Sequence, residues 1–288
     1  MQSIKIKSYC KINLFLRIIR KLNNGYHDIV SLITFCNIYD VITISKIDDS
    51  YDKISFSGKF KKGINKNSNT VTTLLDLLRK DKFLKKKNFR ISVKKNIPHG
   101  SGLGGGSSNA ASLLNFFNSR MGLKLNKSRL KKIAKKIGHD VPISLEKKNT
   151  FLTGKNNKFL RLDCEFKFNV LILYPNFICS TKKMYKKNRN ISKLKKSFNP
   201  YAKINRKELI NFLKEEKNDL EIPASQIYPK ITQIIDYIKS QKGCYFSRIT
   251  GSGSACIGIF SNKKNAIYAQ KLIKLKYPKY WCSVSKTI

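Results

Sequence analysis

Acidic residues are scarce in this chain of 288 residues. Only 17 aspartates and glutamates stand against 59 lysines and arginines, which gives a formal net charge of +42 at pH 7. Such a charge is typical of nucleic-acid-binding proteins and would attract anionic substrates. The lysines, however, recur on nearly every segment instead of forming one stripe. We therefore expect no specific nucleic-acid partner, and we expect runs such as Lys85-Lys86-Lys87 to be solvated surface.

The seven cysteines never form a C-x-x-C pair. Their number is odd, and they are scattered along the chain as Cys10, Cys36, Cys164, Cys179, Cys244, Cys256 and Cys282. This spacing argues against a structural zinc site and against a disulfide framework. The sequence predicts buried free thiols in a reducing compartment.

Long apolar runs are also missing. No stretch approaches the roughly 20 apolar residues that a membrane-spanning helix needs. Near the first residue, Lys5, Lys7 and Lys11 interrupt the apolar positions, which argues against a secretory signal peptide. The sequence predicts a cytoplasmic protein with no membrane partner, long enough for one large domain or two smaller ones.

Glycine, in contrast, is concentrated at residues 98–111. This stretch reads Pro-His-Gly-Ser-Gly-Leu-Gly-Gly-Gly-Ser-Ser-Asn-Ala-Ala and lies between a strand-like run at 89–94 and a helix-like run at 110–117. Glycines at such a junction let backbone N–H groups point into one concavity, and the helix N-terminus adds a partial positive charge. The pattern predicts a phosphate-binding loop rather than a flexible linker.

Three familiar phosphate loops do not fit this stretch. A dinucleotide-binding loop needs an acidic residue about 20 positions further on, but no Asp or Glu lies between Gly100 and His139. A Walker loop needs Ser or Thr after Gly-Lys, and neither the Gly-Lys-Phe run at 58–60 nor the Gly-Lys-Asn run at 154–156 supplies one. A protein-kinase loop would be followed by His-Arg-Asp and Asp-Phe-Gly triplets, which the chain lacks.

Asp140 is one of the few acidic residues available to hold an acceptor hydroxyl. It lies in the Gly-His-Asp-Val-Pro run at 138–142, one predicted helix after the glycines. Phosphoryl transfer needs such a group, together with donors on the phosphates and a metal ion. An aspartate before a proline is, however, equally often a helix N-cap. Ser107 and Ser108 are likewise ordinary N-cap residues, so the local pattern leaves both uses open.

Apolar periodicity predicts the order of the elements. Alternation predicts strands at 4–6, 12–18, 41–44, 89–93 and 150–152. Helical spacing predicts helices at 71–78 and 130–137, the second with Ser128 as its N-cap and Gly138 after its end.

After about residue 163 the predicted order is βααββαβ, which favours a small α+β domain with an antiparallel sheet. The predicted elements are a strand at 170–174, a lysine-rich mobile loop at 182–196, helices at 207–217 and 231–238, strands at 245–249 and 255–260, a helix at 266–275 and a strand at 281–284. We therefore expect two domains, 1–163 and 164–288.

The glycine-rich stretch resembles the phosphate loop of the GHMP kinases, a family of small-molecule kinases. The resemblance implies a two-domain α+β GHMP kinase fold, with an N-terminal ribosomal-protein-S5-like domain and a C-terminal ferredoxin-like domain. It also implies ATP and Mg²⁺ as cofactors, with the loop wrapped around the nucleotide phosphates and two serine hydroxyls near the phosphates and the metal. The nucleotide-binding residues implied are Pro98, Gly100, Gly102, Leu103, Gly104, Gly105, Gly106, Ser107, Ser108 and Asn109.

The same resemblance assigns catalytic roles. Gly-x-Asp-Val-Pro is the family segment that carries a catalytic aspartate, which makes Asp140 the base or the hydroxyl-orienting group. Lys11, otherwise one surface lysine among many, matches the catalytic lysine of one branch, and Asn13 matches its substrate-binding asparagine. A lysine near Asp140 would stabilise negative charge on the carboxylate and on the acceptor oxygen. His139 stands where a small residue is common.

A Gly-Tyr-His run, by itself a turn with two exposed rings, narrows the resemblance to one branch of the family. That branch phosphorylates the 2-hydroxyl of a cytidine-diphosphate-linked methylerythritol in non-mevalonate isoprenoid biosynthesis. Tyr26 and His27 match residues that stack on cytosine and bind its edge. Thr181 matches a substrate contact, and Tyr185 would stack on the other face of the base. Ile33 stands where many members carry an aromatic residue.

Two further segments match the family. A glycine turn at 248–256 corresponds to its third motif, although it also reads as a β-turn joining two strands. An Asn-Asp-Leu-Glu run at 218–221 occurs in these kinases too. Two alternatives stay open: another small-molecule GHMP kinase, such as one for homoserine, and a basic nucleic-acid-binding protein on the same fold. We expect a monomer or a homodimer.

Overall fold

The computed structural model describes residues 3–23, 25–84, 87–154, 158–163, 166–189, 191–192 and 205–288. Three predictions concern residues that lie outside the described ranges. These are the lysine run, through Lys85 and Lys86, the buried thiol of Cys164, and part of the predicted loop at 182–196.

The first half of the chain alternates strands and helices. In order, its elements are β1 (Ile4–Lys21), β2 (His27–Ile47), β3 (Lys53–Ser57), α1 (Thr70–Lys80), β4 (Asn88–Lys94), α2 (Gly105–Arg120), α3 (Lys127–Ile137), α4 (Val141–Ser144), β5 (Thr150–Thr153) and β6 (Phe159–Arg161). The second half contains β7 (Asn169–Tyr174), α5 (Thr181–Lys187), α6 (Arg206–Glu215), α7 (Glu221–Ile227), α8 (Lys230–Lys239), β8 (Cys244–Ile249), β9 (Cys256–Phe260), α9 (Lys263–Lys276) and β10 (Trp281–Lys286).

These elements form two compact units whose segments interleave along the chain. Unit 1 comprises Met1–Lys11, Ile38–His99 and Gly104–Lys147, whereas unit 2 comprises Ile12–Asn37, Gly100–Leu103 and Lys148–Ile288. The long strands β1 and β2 and the glycine-rich stretch each contribute residues to both units. The predicted domain boundary at 163/164 divides the chain differently and stays a prediction.

In unit 1, helices α1, α2 and α3 cover a small sheet. The second part of β2 pairs antiparallel with β4, from Val41 opposite Lys94 to Ile47 opposite Asn88, and β3 pairs parallel with β4. Apolar side chains of these strands and helices form one core, which includes Ile44, Leu74, Ile91, Leu114, Phe117 and Ile133. Burying apolar surface in such a core is the main force that stabilises the unit.

Helix capping defines where the helices of unit 1 begin. Asn69 forms a capping box with Thr72 at the start of α1. Asn126 caps α3 by accepting a hydrogen bond from the backbone N–H of Arg129. The predicted cap at Ser128 is therefore wrong, because the helix already begins at Lys127.

Unit 2 contains a four-stranded antiparallel sheet in the order β10-β7-β9-β8. Ile234 and Ile238 of α8 and Ala269 and Ile273 of α9 are buried in its main core. The first part of β2 also lies in this unit and pairs antiparallel with β5, which pairs with β6. The antiparallel sheet and the α+β class predicted from the sequence are confirmed.

Three local predictions need correction. The lysine-rich stretch predicted as a mobile loop begins with helix α5, which buries Met184. The two predicted strands near the first residue are one strand of 18 residues, β1. Short elements that the periodicity missed include β3, β6, α4 and α7.

The cysteines of the described residues are free thiols. Cys10, Cys36, Cys179, Cys256 and Cys282 are buried and Cys244 is half-buried, as predicted. Burial raises the pKa of the Cys179 thiol to about 11 and that of Cys282 to about 12, so both are protonated and unreactive at neutral pH.

Within the described part of the chain, no helix combines the length and the apolar character that crossing a membrane requires.

Candidate active site

The glycine-rich stretch has a backbone that only glycine adopts easily. Gly102 has φ +84°, and a Cβ there would lie 2.1 Å from the carbonyl oxygen of Thr250. Gly104 has φ +68°, and a Cβ there would lie 2.7 Å from Cγ of Lys11. Both positions thus combine left-handed backbone with close neighbours. The stretch is held tightly in place and is not a free linker.

Helix α2 begins directly after these glycines. Gly104 is its N-cap, and no side chain among the described residues caps it. The first turn contains no acidic residue, and the first N–H groups of any helix have no acceptor within the helix. A helix of 16 residues with open N–H groups and a partial positive charge at this end fits a phosphate group.

The two serines lie inside the first turn of α2 and do not cap it. Ser107 is half-buried, whereas Ser108 is buried. The Ser108 hydroxyl donates to Oγ of Ser144 at 3.3 Å, and Ser144 donates to the backbone oxygen of Asp140 at 3.0 Å. Ser108 therefore connects the start of α2 to the segment that carries Asp140.

Lys11 and Asp140 form an ion pair in unit 1, with 3.2 Å between Nζ and Oδ2. The Lys11 side chain is only 5% exposed, but the Asp140 side chain is 41% exposed. Asp140 precedes α4, yet its side chain makes no capping hydrogen bond there, so the structure does not support the alternative use as an N-cap. The arrangement offers an accessible carboxylate beside a buried cation, with the aliphatic part of Lys11 against Gly104.

A buried polar cluster fixes the residues on both sides of the glycines. Nζ of Lys95 pairs with Oδ2 of Asp40 and donates to Oδ1 of Asn109 at 3.0 Å. Oδ1 of Asp40 accepts from the backbone N–H groups of Asn96 and Ile97, at 2.7 and 2.9 Å. The cluster joins the end of β4 to the first turns of α2, and it uses the side chain of Asn109, predicted from the resemblance to bind nucleotide.

Sequence reasoning missed Asp40 and Lys95. A signal was present, because Asp40 is an acidic residue within an otherwise apolar run in a chain with few acids. A carboxylate within a buried strand needs a cation or hydrogen-bond donors nearby. A search for such a cation could have identified Lys95.

In unit 2, Asn13 is buried and hydrogen-bonded at both its backbone and its side chain. Its N–H donates to Oγ1 of Thr250 at 2.8 Å, and its Nδ2 donates to Oγ of Ser31 at 2.8 Å. Ser31 donates in turn to the backbone oxygen of Phe15 at 2.5 Å. The side chain is therefore held in one orientation.

Thr181 is exposed at the first position of α5, and its Oγ1 lies 2.9 Å from Oγ of Ser252. Thr250 and Ser252 belong to the turn between β8 and β9. The predicted substrate residues Asn13 and Thr181 thus contact one turn, and this turn lies within the predicted third motif.

Aromatic rings meet at the other predicted substrate positions. The rings of His27 and Tyr185 lie 5.0 Å apart between centroids at an angle of 33°. Tyr26 is 51% exposed. Burial, and next the positive charge of Lys21, lower the pKa of His27 below its ordinary value of 6.5. The imidazole is therefore neutral at neutral pH and keeps one nitrogen able to accept a hydrogen bond.

The remaining residues of the glycine-rich stretch differ in exposure and contacts. Pro98 and Leu103 are buried, and Gly100 is exposed, where a Cβ would lie 2.7 Å from Cγ2 of Ile178. The Thr70 hydroxyl of α1 donates to the carbonyl of Gly106 at 2.8 Å. The contact of Gly100 lies within unit 2, and that of Gly106 lies within unit 1. His139, the departure from the family pattern, is exposed.

Comparisons with known proteins agree with this description. Residues 69–147 match the model of the GHMP kinases N terminal domain, and residues 201–274 match that of the GHMP kinases C terminal domain. A 4-diphosphocytidyl-2-C-methyl-D-erythritol kinase from Pelagibacter ubique is 40% identical to the chain over 290 aligned residues, covering 100% of both proteins.

Solved structures show the same fold. A crystal structure of a 4-(cytidine 5'-diphospho)-2C-methyl-D-erythritol kinase superimposes with a TM-score of 0.75 at 22% identity, covering 99% of both chains. A homoserine kinase from Cytophaga hutchinsonii gives a TM-score of 0.71 at 16% identity, covering 100% of this chain and 95% of the other. At such identities the structural likeness concerns the fold alone. Together with the two family matches and the full-length relative, it leads to one conclusion: the chain belongs to the GHMP kinase family.

Proposed function

We propose that this protein transfers the γ-phosphoryl group of ATP to the 2-hydroxyl of 4-diphosphocytidyl-2-C-methyl-D-erythritol, a step of non-mevalonate isoprenoid biosynthesis. The observation that carries the proposal is the pair of Lys11 and Asp140, 3.2 Å apart beside Gly104. A kinase that acts on an alcohol needs a carboxylate to hold the hydroxyl, a cation to stabilise negative charge and a loop to bind the phosphates. The full-length relative from Pelagibacter ubique supports the substrate.

The start of α2 is proposed to hold the phosphates of ATP. Its first N–H groups and its partial positive charge suit an anion, and its first turn contains no carboxylate that would repel one. Glycines at the approach to the helix leave the backbone uncovered by side chains, so that oxygen atoms can come close.

Mg²⁺ is proposed to arrive with the nucleotide. The described residues contain no cluster of three acidic, histidine or cysteine side chains suited to a metal. Mg²⁺ commonly keeps several water ligands and is otherwise bound by substrate phosphates and one or two protein groups. The half-buried hydroxyl of Ser107 could be such a protein ligand. The ion would neutralise charge on the phosphate oxygens.

The roles of the charged pair follow from its exposure. Asp140 is proposed to accept, or to orient, the proton of the 2-hydroxyl, since its carboxylate is 41% exposed. The buried ammonium of Lys11 would keep that carboxylate in one position and stabilise negative charge that develops on the acceptor oxygen. Positioned groups and favourable charges are the main means of catalysis in phosphoryl transfer.

The cytidine end of the substrate is proposed to bind at the aromatic residues of unit 2. Tyr26 and Tyr185 offer ring faces for stacking, and neutral His27 offers an acceptor for the exocyclic amine of cytosine. Asn13 and Thr181 are proposed to contact the polyol and its phosphates. An amino-acid substrate such as homoserine has no base to use the rings.

The test is an ATP-consumption assay with the cytidine-diphosphate polyol, homoserine and mevalonate, each with MgATP. We expect kcat/KM for the cytidine compound to exceed the other two by at least about 100-fold, because homoserine and mevalonate have no base to bind the aromatic rings. Equal turnover of homoserine would contradict the substrate assignment. Salt-sensitive DNA binding that is tighter than ATP binding would instead favour the nucleic-acid-binding alternative.

A further inference from the structure

The Asn-Asp-Leu-Glu run at 218–221 lies against the turn between β8 and β9 and the end of β8. Asn218 is 2% exposed. Its Nδ2 donates two hydrogen bonds, to the backbone oxygens of Ile249 at 3.1 Å and Gly251 at 2.8 Å. Its Oδ1 accepts from the N–H of Leu220 at 3.0 Å. One buried amide therefore binds the last carbonyl of β8 and one carbonyl of the turn.

Glu221 holds the same segment from its other side. Its Oε2 accepts from the backbone N–H of Ile249 at 3.0 Å. Burial raises the pKa of Glu221, while this hydrogen bond and the charge of Arg248 oppose the rise. Ile249 is thus bound through its N–H by Glu221 and through its oxygen by Asn218.

The turn held in this way contacts several parts of the proposed site, all within unit 2. Thr250 accepts from the N–H of Asn13, and Ser252 is hydrogen-bonded to Thr181. The N–H of Ala255, just after the turn, donates to the backbone oxygen of Ser101 at 3.0 Å. Gly102 lies directly against the carbonyl oxygen of Thr250. A displacement of the turn would therefore also displace Ser101, Gly102 and both substrate residues.

We propose that Asn218 and Glu221 are positioning residues, which fix the turn at residues 250–254 so that it places Asn13, Thr181, Ser101 and Gly102. The kinetic consequences rest on the proposed function, whereas the placement of backbone groups does not. Neither residue needs to touch a substrate for this role. Their contribution comes from holding reacting groups in a productive geometry, where small displacements are costly.

Asp219 provides a matched control at the adjacent position. It is also buried, at 5% exposure, but its carboxylate faces a different segment. It accepts from the N–H of Ile18 at 2.7 Å and from the Ser192 hydroxyl at 2.9 Å. Truncation of Asp219 removes these buried hydrogen bonds, together with an ion pair to Arg17 at 3.6 Å, without releasing the turn.

The first experiment compares Asn218→Ala with Asp219→Ala by hydrogen–deuterium exchange of the protein without ligands. In Asn218→Ala we expect the amides of Asn13 and Ala255 to exchange at least about tenfold faster than in the unaltered chain. In Asp219→Ala we expect the faster exchange at Ile18 instead. Unchanged protection of Asn13 and Ala255 in folded Asn218→Ala would overturn the proposal.

The second experiment measures kinetics of the same variants, at a temperature where each is folded. Asn218→Ala should lower kcat/KM for the cytidine substrate by about 100-fold, and Asp219→Ala by less than about threefold, even if its unfolding temperature falls further. Equal kinetic losses in the two variants would mean that both residues act through stability alone, which contradicts the proposal. If the unaltered protein does not phosphorylate the cytidine compound, the proposed function fails and the exchange experiment still decides the positioning role.

Glu221 allows a third comparison if Asn218→Ala does not fold. Glu221→Gln keeps an oxygen that can accept from Ile249, whereas Glu221→Ala does not. We expect Glu221→Gln to retain the amide protection of Ala255 and Glu221→Ala to lose it. Equal loss in both variants would overturn the assignment, because the hydrogen bond to Ile249 would then not be what holds the turn.

Discussion

The ammonium of Lys11 lies 3.2 Å from the carboxylate of Asp140, and the two side chains differ sharply in exposure, at 5% and 41%. This difference separates their proposed roles. The cation is shielded from solvent, whereas the carboxylate is accessible to an incoming hydroxyl. An ordinary surface ion pair would expose both partners and contribute little.

Replacing Asp140 with Asn should reduce kcat far more than ATP affinity. The amide keeps the size of the side chain but cannot accept a proton, so we expect kcat to fall by about 10²- to 10⁴-fold. ATP affinity, measured by calorimetry, should change by less than about threefold, because the proposed phosphate site is the start of α2. Asp49→Asn, which alters the solvent-accessible pair with Lys53, is the control. A kcat unchanged in Asp140→Asn would remove Asp140 from the mechanism.

A Cβ at Gly102 should disrupt the glycine-rich stretch. Gly102→Ala adds both left-handed strain and a clash with the carbonyl of Thr250, since the added atom would lie 2.1 Å away. Gly122 has a similar φ of +68° with nothing within 4 Å, so Gly122→Ala isolates the strain, about 1–2 kcal/mol. Urea denaturation should show a clearly larger loss for Gly102→Ala, together with a raised KM for ATP. Equal losses of unfolding free energy in Gly102→Ala and Gly122→Ala would contradict a costly clash with Thr250.

Binding of the cytidine substrate should weaken in acid because of His27. Its pKa in the folded protein lies below the ordinary value of 6.5, through burial and then the charge of Lys21. The imidazole is therefore mostly neutral at pH 6.5 and above, and its protonation at lower pH removes the acceptor. We expect KM for the substrate to change little between pH 7 and 8 and to rise as the pH falls below 6.5.

The variant His27→Gln tests this assignment, because glutamine offers an acceptor that does not titrate. Its KM for the cytidine substrate should stay flat below pH 6.5 as well, with KM for ATP as an internal reference. Protonation of His27 should also lower the free energy of unfolding. Because its pKa is lower in the folded protein than in the unfolded chain, stability is lost as the pH falls. An unchanged acid slope in His27→Gln would assign the titration to another group.

Substitutions of the buried pair Asp40 and Lys95 should have strongly non-additive effects on the free energy of unfolding. Lys95→Met leaves a buried carboxylate without its cation, which should cost about 3–5 kcal/mol of the free energy of unfolding. Adding Asp40→Asn should recover part of that loss, so the double variant is more stable than the sum of the single changes implies. The exposed pair of Lys148 and Asp163 should show coupling under about 1 kcal/mol. Additive losses at Asp40 and Lys95 would contradict the coupling.

Periodicity identified the helices with a clear apolar stripe and failed where a stripe is absent. Helix α3 was expected at 130–137 and is found at Lys127–Ile137, because Ile133 and Ala134 face the core. Helix α5 was missed because Met184 is its one buried residue among lysines. Strand β1 was divided in two because its middle is buried on both faces, which removes the alternation on which strand prediction depends.

The amino-acid pattern was enough to identify the family, because the glycines and the residues around them follow a fixed local order. Through that resemblance it predicted the phosphate loop and singled out Lys11 and Asp140 as catalytic residues. Only the folded chain shows which groups meet: Lys11 forms an ion pair with Asp140, and Asn218 binds the carbonyls of Ile249 and Gly251. Such contacts join residues more than 30 positions apart, and their energy depends on burial and distance, which a linear pattern does not contain.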